Sequence, residues 1–380
     1  MMPIRPRLTP AIADVRRAVR DALRASVVEP AAGAALTETS ANATSASDSA
    51  SHSAPGTQPV NAPLVLVALS GGADSLALAA ATAFEAPRLG LHAGAVIIDH
   101  GLQPGSADVA DVAAEQARAL ELDPVLVIPV EVPAAAPGEV TGGPEAAART
   151  ARYAGFERAL SHTGASHILL GHTLDDQAET VLLGLARGSG PRSLQGMASA
   201  TRPWLRPLLG IRRSQTEQFC EDSGLSVWHD PHNQQPRFGR VRVRQRILPM
   251  LEEELGPGVA EALARTAAQL REDAEVLDAL AATSAATITR TAEGTGAERI
   301  QIDATALAAL PAALRQRVIR MVVWNTFAVT LSRRHTLEVA RLVTHWRGQG
   351  EVHLPRIRVV RADGWLNVSA APPPQTEEPS

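Results

Sequence analysis

The sequence contains no lysine. All 36 basic residues among its 380 are arginine. Chemistry that requires a lysine side chain is therefore excluded, including the lysine of the usual phosphate-binding P-loop. A GC-rich coding bias accounts for the replacement without invoking function. Cysteine is almost as scarce. The single Cys220 rules out a disulfide framework and a cysteine-rich zinc site, and it suits a reducing cytoplasm. Long apolar runs are missing too, so no segment is expected to cross a membrane. The start, MMPIRPRLTPAIADVRRAVRDALRASVV, is charged throughout and lacks an apolar core of signal-peptide length. Asp14 and Asp21 argue against an organelle transit peptide. The expectation is a cytoplasmic protein with no membrane partner. A formal net charge of -4 leaves no global basic field, and the length allows one to three domains.

What is present is strongly patterned. Ile12, Val15, Val19 and Leu23 recur at helical spacing, with Thr9 or Pro10 as the start. Residues 31–62 are Ala, Ser, Thr, Gly and Pro with few large apolar side chains, which predicts a disordered insertion. From 64 onward, LVLVAL, AGAVIID (93–99), PVLVIPV (124–130) and HILLG (167–171) read as buried strands. Helices are expected between them at about 74–86, 107–121, 144–162 and 175–187. Alternating strand and helix predict an α/β domain, a parallel sheet covered on both faces, with ligands at the carboxyl ends of the strands. A helical region follows from about 251. A final mixed segment, 299–368, has helices at 315–328 and 333–346 and strand-like runs VHLPRIRVV and GWLNVS.

Three motifs fall at the expected carboxyl edge. In SGGADS, Gly71 and Gly72 permit a tight turn and close approach to the main chain, so that backbone N–H groups point at phosphate. Ser70 and Ser75 add hydroxyls. Asp74 is an anion beside an anion site, which a Mg²⁺ ion would reconcile. In IIDHGLQPG, Asp99 and His100 end a strand, where they bind a ligand or merely cap a loop. In GHTLDDQAET, Asp176 and Glu179 share one helix face, in the first turn where the dipole favours carboxylates. An acidic helix cap explains them, but not the preceding Gly-His or the trailing Arg187-Gly188-Ser189-Gly190.

Arginine supplies the remaining signals. AAARTARYAGFERAL places Arg149 and Arg152 on one helix face, with Tyr153 and Phe156 at the same spacing. Residues 61–200 hold 7 arginines against 15 acids, 201–250 hold 9 against 4, and 301–361 hold 10 against 3. In RFGRVRVRQR, the alternation of Arg240, Arg242, Arg244 and Arg246 predicts a strand with all four on one side, facing a polyanion.

SGGADS resembles the signature of ATP pyrophosphatases of the PP-loop superfamily, which cleave ATP to AMP and pyrophosphate. The other motifs resemble one branch, the tRNA(Ile)-lysidine synthetases of actinobacterial type. IIDHGL matches their HVDHGLR stretch, ARTARY their AR-xx-RY pattern and GHTLDDQAET their H-xxx-DQAET block. Residues 228–251 resemble D-x-SN followed by F-x-RNRIR, retaining Asp230, Asn233, Arg240, Arg242 and Arg244, with His232 for Ser and Val241 for Asn. The resemblance covers roughly 64–260 strongly, and LVTHWRGQGEVHLP extends it more weakly toward the end.

The resemblance implies a Rossmann-like PP-loop catalytic domain over 63–250, preceded by an N-terminal helix at 1–30. A helical linker and small α+β tRNA-binding domain follow over 251–370, with a disordered tail at 371–380. It implies ATP binding at Ser70, Gly71, Gly72, Ala73, Asp74, Ser75, Asp99 and His100, with Mg²⁺ on Asp74. Asp74, His172, Asp176 and Glu179 would be catalytic. Arg149, Arg152, Asp176 and Glu179 would bind free lysine, the two carboxylates holding its amine. Arg240, Arg242, Arg244 and Arg246 would bind an isoleucine tRNA with a CAU anticodon. The implied reaction joins lysine to the wobble cytidine. Sequence leaves the oligomeric state open, a homodimer being one expectation. A 2-thiolating tRNA enzyme of the same superfamily is the alternative, although such enzymes usually carry paired cysteines. A non-catalytic nucleotide-binding module is disfavoured by the further charged motifs at the same edge.

Overall fold

The computed structural model describes residues 8–29, 62–101, 105–132, 143–188, 190–228, 239–291 and 299–371. The expected insertion falls almost wholly outside them, as do Ser189, Asp230, His232, Asn233 and the tail from 372. The chain divides into two units, 1–268 and 269–380.

The first unit is built on a six-stranded sheet. Its strands are β1 (Leu64–Ala68), β2 (His92–Asp99), β3 (Val125–Pro129), β4 (His167–Leu169), β5 (Ala200–Thr201) and β6 (Trp204–Leu205), in the order β3-β2-β1-β4-β6-β5. All neighbours run parallel except β5, which returns antiparallel to β6. The predicted helices appear as α2 (Ala73–Glu85), α3 (Ser106–Ala119), α4 (Gly143–Thr163) and α5 (Leu174–Ala186). Val65, Leu66 and Val67 are consecutive and fully buried, as a strand covered on both faces requires. The order reverses between β1 and β4, so the crevice beyond their carboxyl ends is the switch point where α/β sheets bind ligands.

Helix α1 (Pro10–Leu23) begins as expected, with Thr9 accepting a hydrogen bond from the Ile12 amide at 3.4 Å and proline at the first helical position. Its stripe of Ile12, Val15, Val19 and Leu23 enters the same apolar core as Leu76, Leu78 and Phe219, so this helix is part of the sheet-bearing unit rather than a separate element. The expected boundary at 250 also moves. Val259, Ala260, Leu263 and Ala264, at the start of α7 (Val259–Ile288), pack with Leu174, Ala178, Leu182 and Leu248, which keeps residues to 268 in the first unit.

Residues 239–255 overturn one expectation. They form an unbroken helical run, Gly239–Arg242, a π-helical turn Val243–Ile247, and Leu248–Leu255. An Arg-Val alternation satisfies a strand period, but on a helix residues four apart share a face. The four arginines therefore split into pairs. Arg240 and Arg244 turn toward α5, where Arg240 donates to the Thr180 hydroxyl and Arg244 to Glu179, whereas Arg242 and Arg246 are exposed.

The second unit has an antiparallel sheet, β7 (Thr289–Thr291), β8 (Arg299–Asp303), β9 (Val352–Leu354), β10 (Ile357–Ala362) and β11 (Trp365–Ala370), in the order β7-β8-β11-β10-β9. Helices α8 (Ala304–Ala309), α9 (Ala312–Phe327) and α10 (Arg333–Thr344) cover it through Val318, Ile319, Val339 and Leu342. Among the described residues, no helix is long and apolar enough to cross a membrane.

Candidate active site

The turn from β1 into α2 is SGGADS. Gly71 has φ +79°, in the left-handed region that glycine tolerates, and its carbonyl accepts from the Trp228 amide at 3.0 Å. Ser75 is buried and braces the turn from within. Its hydroxyl donates to the Gly72 carbonyl at 2.9 Å and accepts from the Ser70 amide at 3.2 Å. Ser70 itself is exposed. The first-turn N–H groups of α2 and the positive end of its dipole lie at this turn, the arrangement that receives phosphate.

The carboxyl end of β4 touches the same turn. A Cβ on Gly171 would stand 3.2 Å from the backbone carbon and oxygen of Asp74 and from the Ser75 Cα. Glycine here allows the GHTLDD segment to lie directly against SGGADS. Beyond it, Asp176 caps α5 with one oxygen, Oδ2, which accepts from the Thr173 amide at 2.9 Å and its hydroxyl at 3.0 Å. The capping explanation of this acid is thus correct for one oxygen only.

The other oxygens enter an ionic cluster. Arg213, at the start of α6 (Arg213–Asp222), reaches Asp74 Oδ2 at 3.3 Å, Asp176 Oδ1 at 3.0 Å and Glu179 Oε1 at 3.5 Å. Arg244 adds Nε to Glu179 Oε1 at 2.7 Å and Nη2 to Glu179 Oε2 at 3.1 Å and to Asp176 Oδ1 at 3.2 Å. The Thr216 hydroxyl donates to Asp74 Oδ1. Asp175 accepts from the Arg213 amide at 2.7 Å and pairs with Arg212 at 3.2 Å, pinning α6 in place. Glu179 is fully buried.

The electrostatics follow this packing. Burial pushes the Asp74 carboxyl up from its ordinary value, against Arg213 and the Thr216 hydrogen bond. At Asp176 burial acts in the same direction but loses to Arg213, the Thr173 amide and Arg244, which hold that carboxyl below the usual range. His172 is driven down to about 4 by burial, with Arg206, Arg152 and Arg149 adding to the effect and Asp176 opposing it. It is a neutral imidazole at physiological pH.

Two of those arginines, Arg149 and Arg206, line a second feature, an open cavity of about 490 Å³ completed by Thr150, Tyr153, Ala154 and Glu157. Arg149 Nη2 donates to the Tyr153 hydroxyl at 3.3 Å. Phe156 is buried in the core with Tyr153 and Trp204 against it. Among the described residues, Arg206 Nε and the Nδ1 atoms of His172 and His100 are buried without a hydrogen-bond partner.

Asp74, His172, Asp176 and Glu179 therefore converge as expected, with Arg149 and Arg152 near His172. Asp99 does not join them, since its Oδ1 accepts from the Gly101 amide at 3.0 Å within its own loop. Arg244 faces the acids rather than solvent. Sequence reasoning missed Arg206, Arg213 and Thr216. Arg213 closes the stretch RPLLGIRR (206–213), but its partner Asp74 is 139 residues away, a pairing that local spacing cannot reveal.

A phosphate-receiving turn at the switch point of a parallel sheet, joined to buried carboxylates, defines a PP-loop ATP pyrophosphatase. A PP-loop domain family matches residues 46–251, and the TilS substrate binding domain matches 302–366. The chain is 60% identical to a tRNA(Ile)-lysidine synthase of Leifsonia xyli over 80% of its length and 89% of that protein's. It is 51% identical to one from Thermobifida fusca, over 81% and 92% respectively. The chain belongs to the tRNA(Ile)-lysidine synthase family. Among solved structures, the U34-tRNA thiolase NcsA from Methanococcus maripaludis shares the fold, with TM-score 0.51 and 19% identity over 69% of this chain and 80% of that one.

Proposed function

We propose that the chain uses ATP to join free lysine to the C2 carbon of the wobble cytidine of an isoleucine tRNA with a CAU anticodon, forming lysidine. The cytosine carbonyl oxygen attacks the α-phosphate, and pyrophosphate leaves. The amine of lysine then attacks C2, and the oxygen departs with AMP. Activation turns a poor leaving group into a good one and divides one hard step into two easier ones. The product reads AUA instead of AUG, and the tRNA becomes an isoleucine rather than a methionine acceptor.

The observation that carries this reading is the contact across Gly171, which sets a phosphate-type turn against Asp176 and Glu179. Backbone amides of the turn, with Ser70, Gly71, Gly72 and Ala73, receive the pyrophosphate. Ser75 holds their shape. Asp99 and His100 border the adenosine side. Asp176 and Glu179 bind the lysine ammonium, and one of them takes its proton. Arg149, Arg152 and the cavity beside Arg149 receive the substrate, and the exposed Arg242 and Arg246 meet tRNA phosphate.

Among the described residues, no group of three or more His, Cys, Asp or Glu could hold a metal. A Mg²⁺ ion fits the site nonetheless. It needs only one or two carboxylates beside phosphate and water oxygens, and each Asp74 oxygen accepts one protein donor. Bound there, Mg²⁺ supplies charge neutralisation to the phosphates. A 2-thiolating enzyme is a poorer fit, because burial and Asp74 push the Cys220 thiol up to about 12 and leave it an inert core residue.

The test is direct. Purified chain, ATP, Mg²⁺, labelled lysine and the CAU isoleucine tRNA should yield AMP and labelled RNA. Incorporation of sulfur, or AMP release with no lysine on RNA, would exclude the reading.

A further inference from the structure

An incoming ammonium needs acceptor capacity, and a carboxylate offers about four lone-pair sites. At Asp176 all four are engaged, Oδ2 by the Thr173 amide and hydroxyl at 2.9 and 3.0 Å, Oδ1 by Arg213 and Arg244 at 3.0 and 3.2 Å. Glu179, fully buried, is gripped bidentately by Arg244 at 2.7 and 3.1 Å, with Arg213 at 3.5 Å. With Asp176 saturated and Glu179 without exposed surface, the amine of free lysine gains this pair by displacing a guanidinium.

The two guanidiniums are not equally held. Arg213 binds three carboxylates, its own amide donates to Asp175, and its side chain is 19% exposed. Among the described carboxylates the Arg244 guanidinium binds Asp176 and Glu179, and its side chain is 30% exposed. It lies on the helical run whose outer face presents Arg246 to solvent.

We infer that Arg244 occupies the lysine-ammonium subsite as an internal substitute, and that tRNA opens the subsite by drawing Arg244 onto a backbone phosphate. This rests on the reading that Asp176 and Glu179 hold lysine. The exchange keeps every ion paired. Phosphate accepts a guanidinium bidentately, as the carboxylates did, and lysine replaces the lost positive charge. No buried carboxylate is left bare, a strongly unfavourable state. Binding is thereby ordered, RNA before lysine, and the amine is admitted when the base to be modified is present.

Equilibrium dialysis of labelled lysine against the full chain tests this, with α,β-methylene ATP present to block turnover, with and without the CAU isoleucine tRNA. In the unmodified chain RNA should tighten lysine binding about tenfold or more. Arg244→Gln should bind lysine at least about tenfold more tightly without RNA and gain little when RNA is added. Equal lysine affinity with and without RNA in the unmodified chain overturns the inference, as does an Arg244→Gln variant that binds lysine no better. Glu179→Gln separates the two claims. Loss of lysine binding in that variant upholds the underlying assignment, and undiminished binding strikes the assignment rather than the coupling.

Discussion

The carboxyl ends of β2 and β4 look alike in sequence and differ in partnership. Each follows a buried strand, and each carries a histidine and at least one acid. At β2, Asp99 satisfies its own loop through the Gly101 amide at 3.0 Å. At β4, Asp176 and Glu179 are met by guanidiniums 37 and 65 residues downstream. The same local arrangement becomes a loop cap in one place and an ionic centre in the other. What separates them is the arrival of Arg213 and Arg244, which gives the buried carboxylates ionic partners.

The largest effect expected from probing this contrast is on chemistry at β4. Glu179→Gln should lower lysine transfer by about a hundredfold or more, in the range for losing a general base or its equivalent, measured as labelled lysine on RNA. Transfer at the unmodified rate would erase the distinction between the two ends. Next comes stability. Arg213→Met strips a buried centre of one partner and should cost about 3 kcal/mol, read from the urea midpoint.

A smaller effect belongs to acid. With its pKa depressed to about 4 from 6.5, His172 stays neutral in the folded chain while the unfolded chain protonates. Its contribution is complete above pH 6.5 and is lost as pH falls toward 4. His172→Asn should therefore give a shallower fall in melting temperature across that window. The smallest effect is at β2. Asp99→Ala should change stability by about 1 kcal/mol or less, the worth of one exposed hydrogen bond. A larger loss would mean that Asp99 has partners beyond its loop.

Much of this was legible in the residues. Runs such as LVLVAL and AGAVIID fix strands because no polar residue interrupts their burial, and β1 and β2 fall within a residue of the expected limits. Helix α5 and its acids were likewise visible. The RVRVR segment was not, because an alternation compatible with a strand also divides cleanly between two helix faces, and only the acids of α5 decide which applies. Arg213 was hidden for another reason. A guanidinium that joins Asp74 to Asp176 across more than a hundred residues depends on tertiary packing, which no local period encodes.

Gly171 gives the site a mechanical property. With a Cβ placed only 3.2 Å from the Asp74 and Ser75 backbone, even alanine would act as a shim, prising the phosphate turn from the carboxylate helix. The phosphate turn and the segment leading into the carboxylate helix meet here without a side chain between them. Thickening that point by a single methyl group should leave both halves folded yet out of step, with adenylate formed but poorly passed on to lysine.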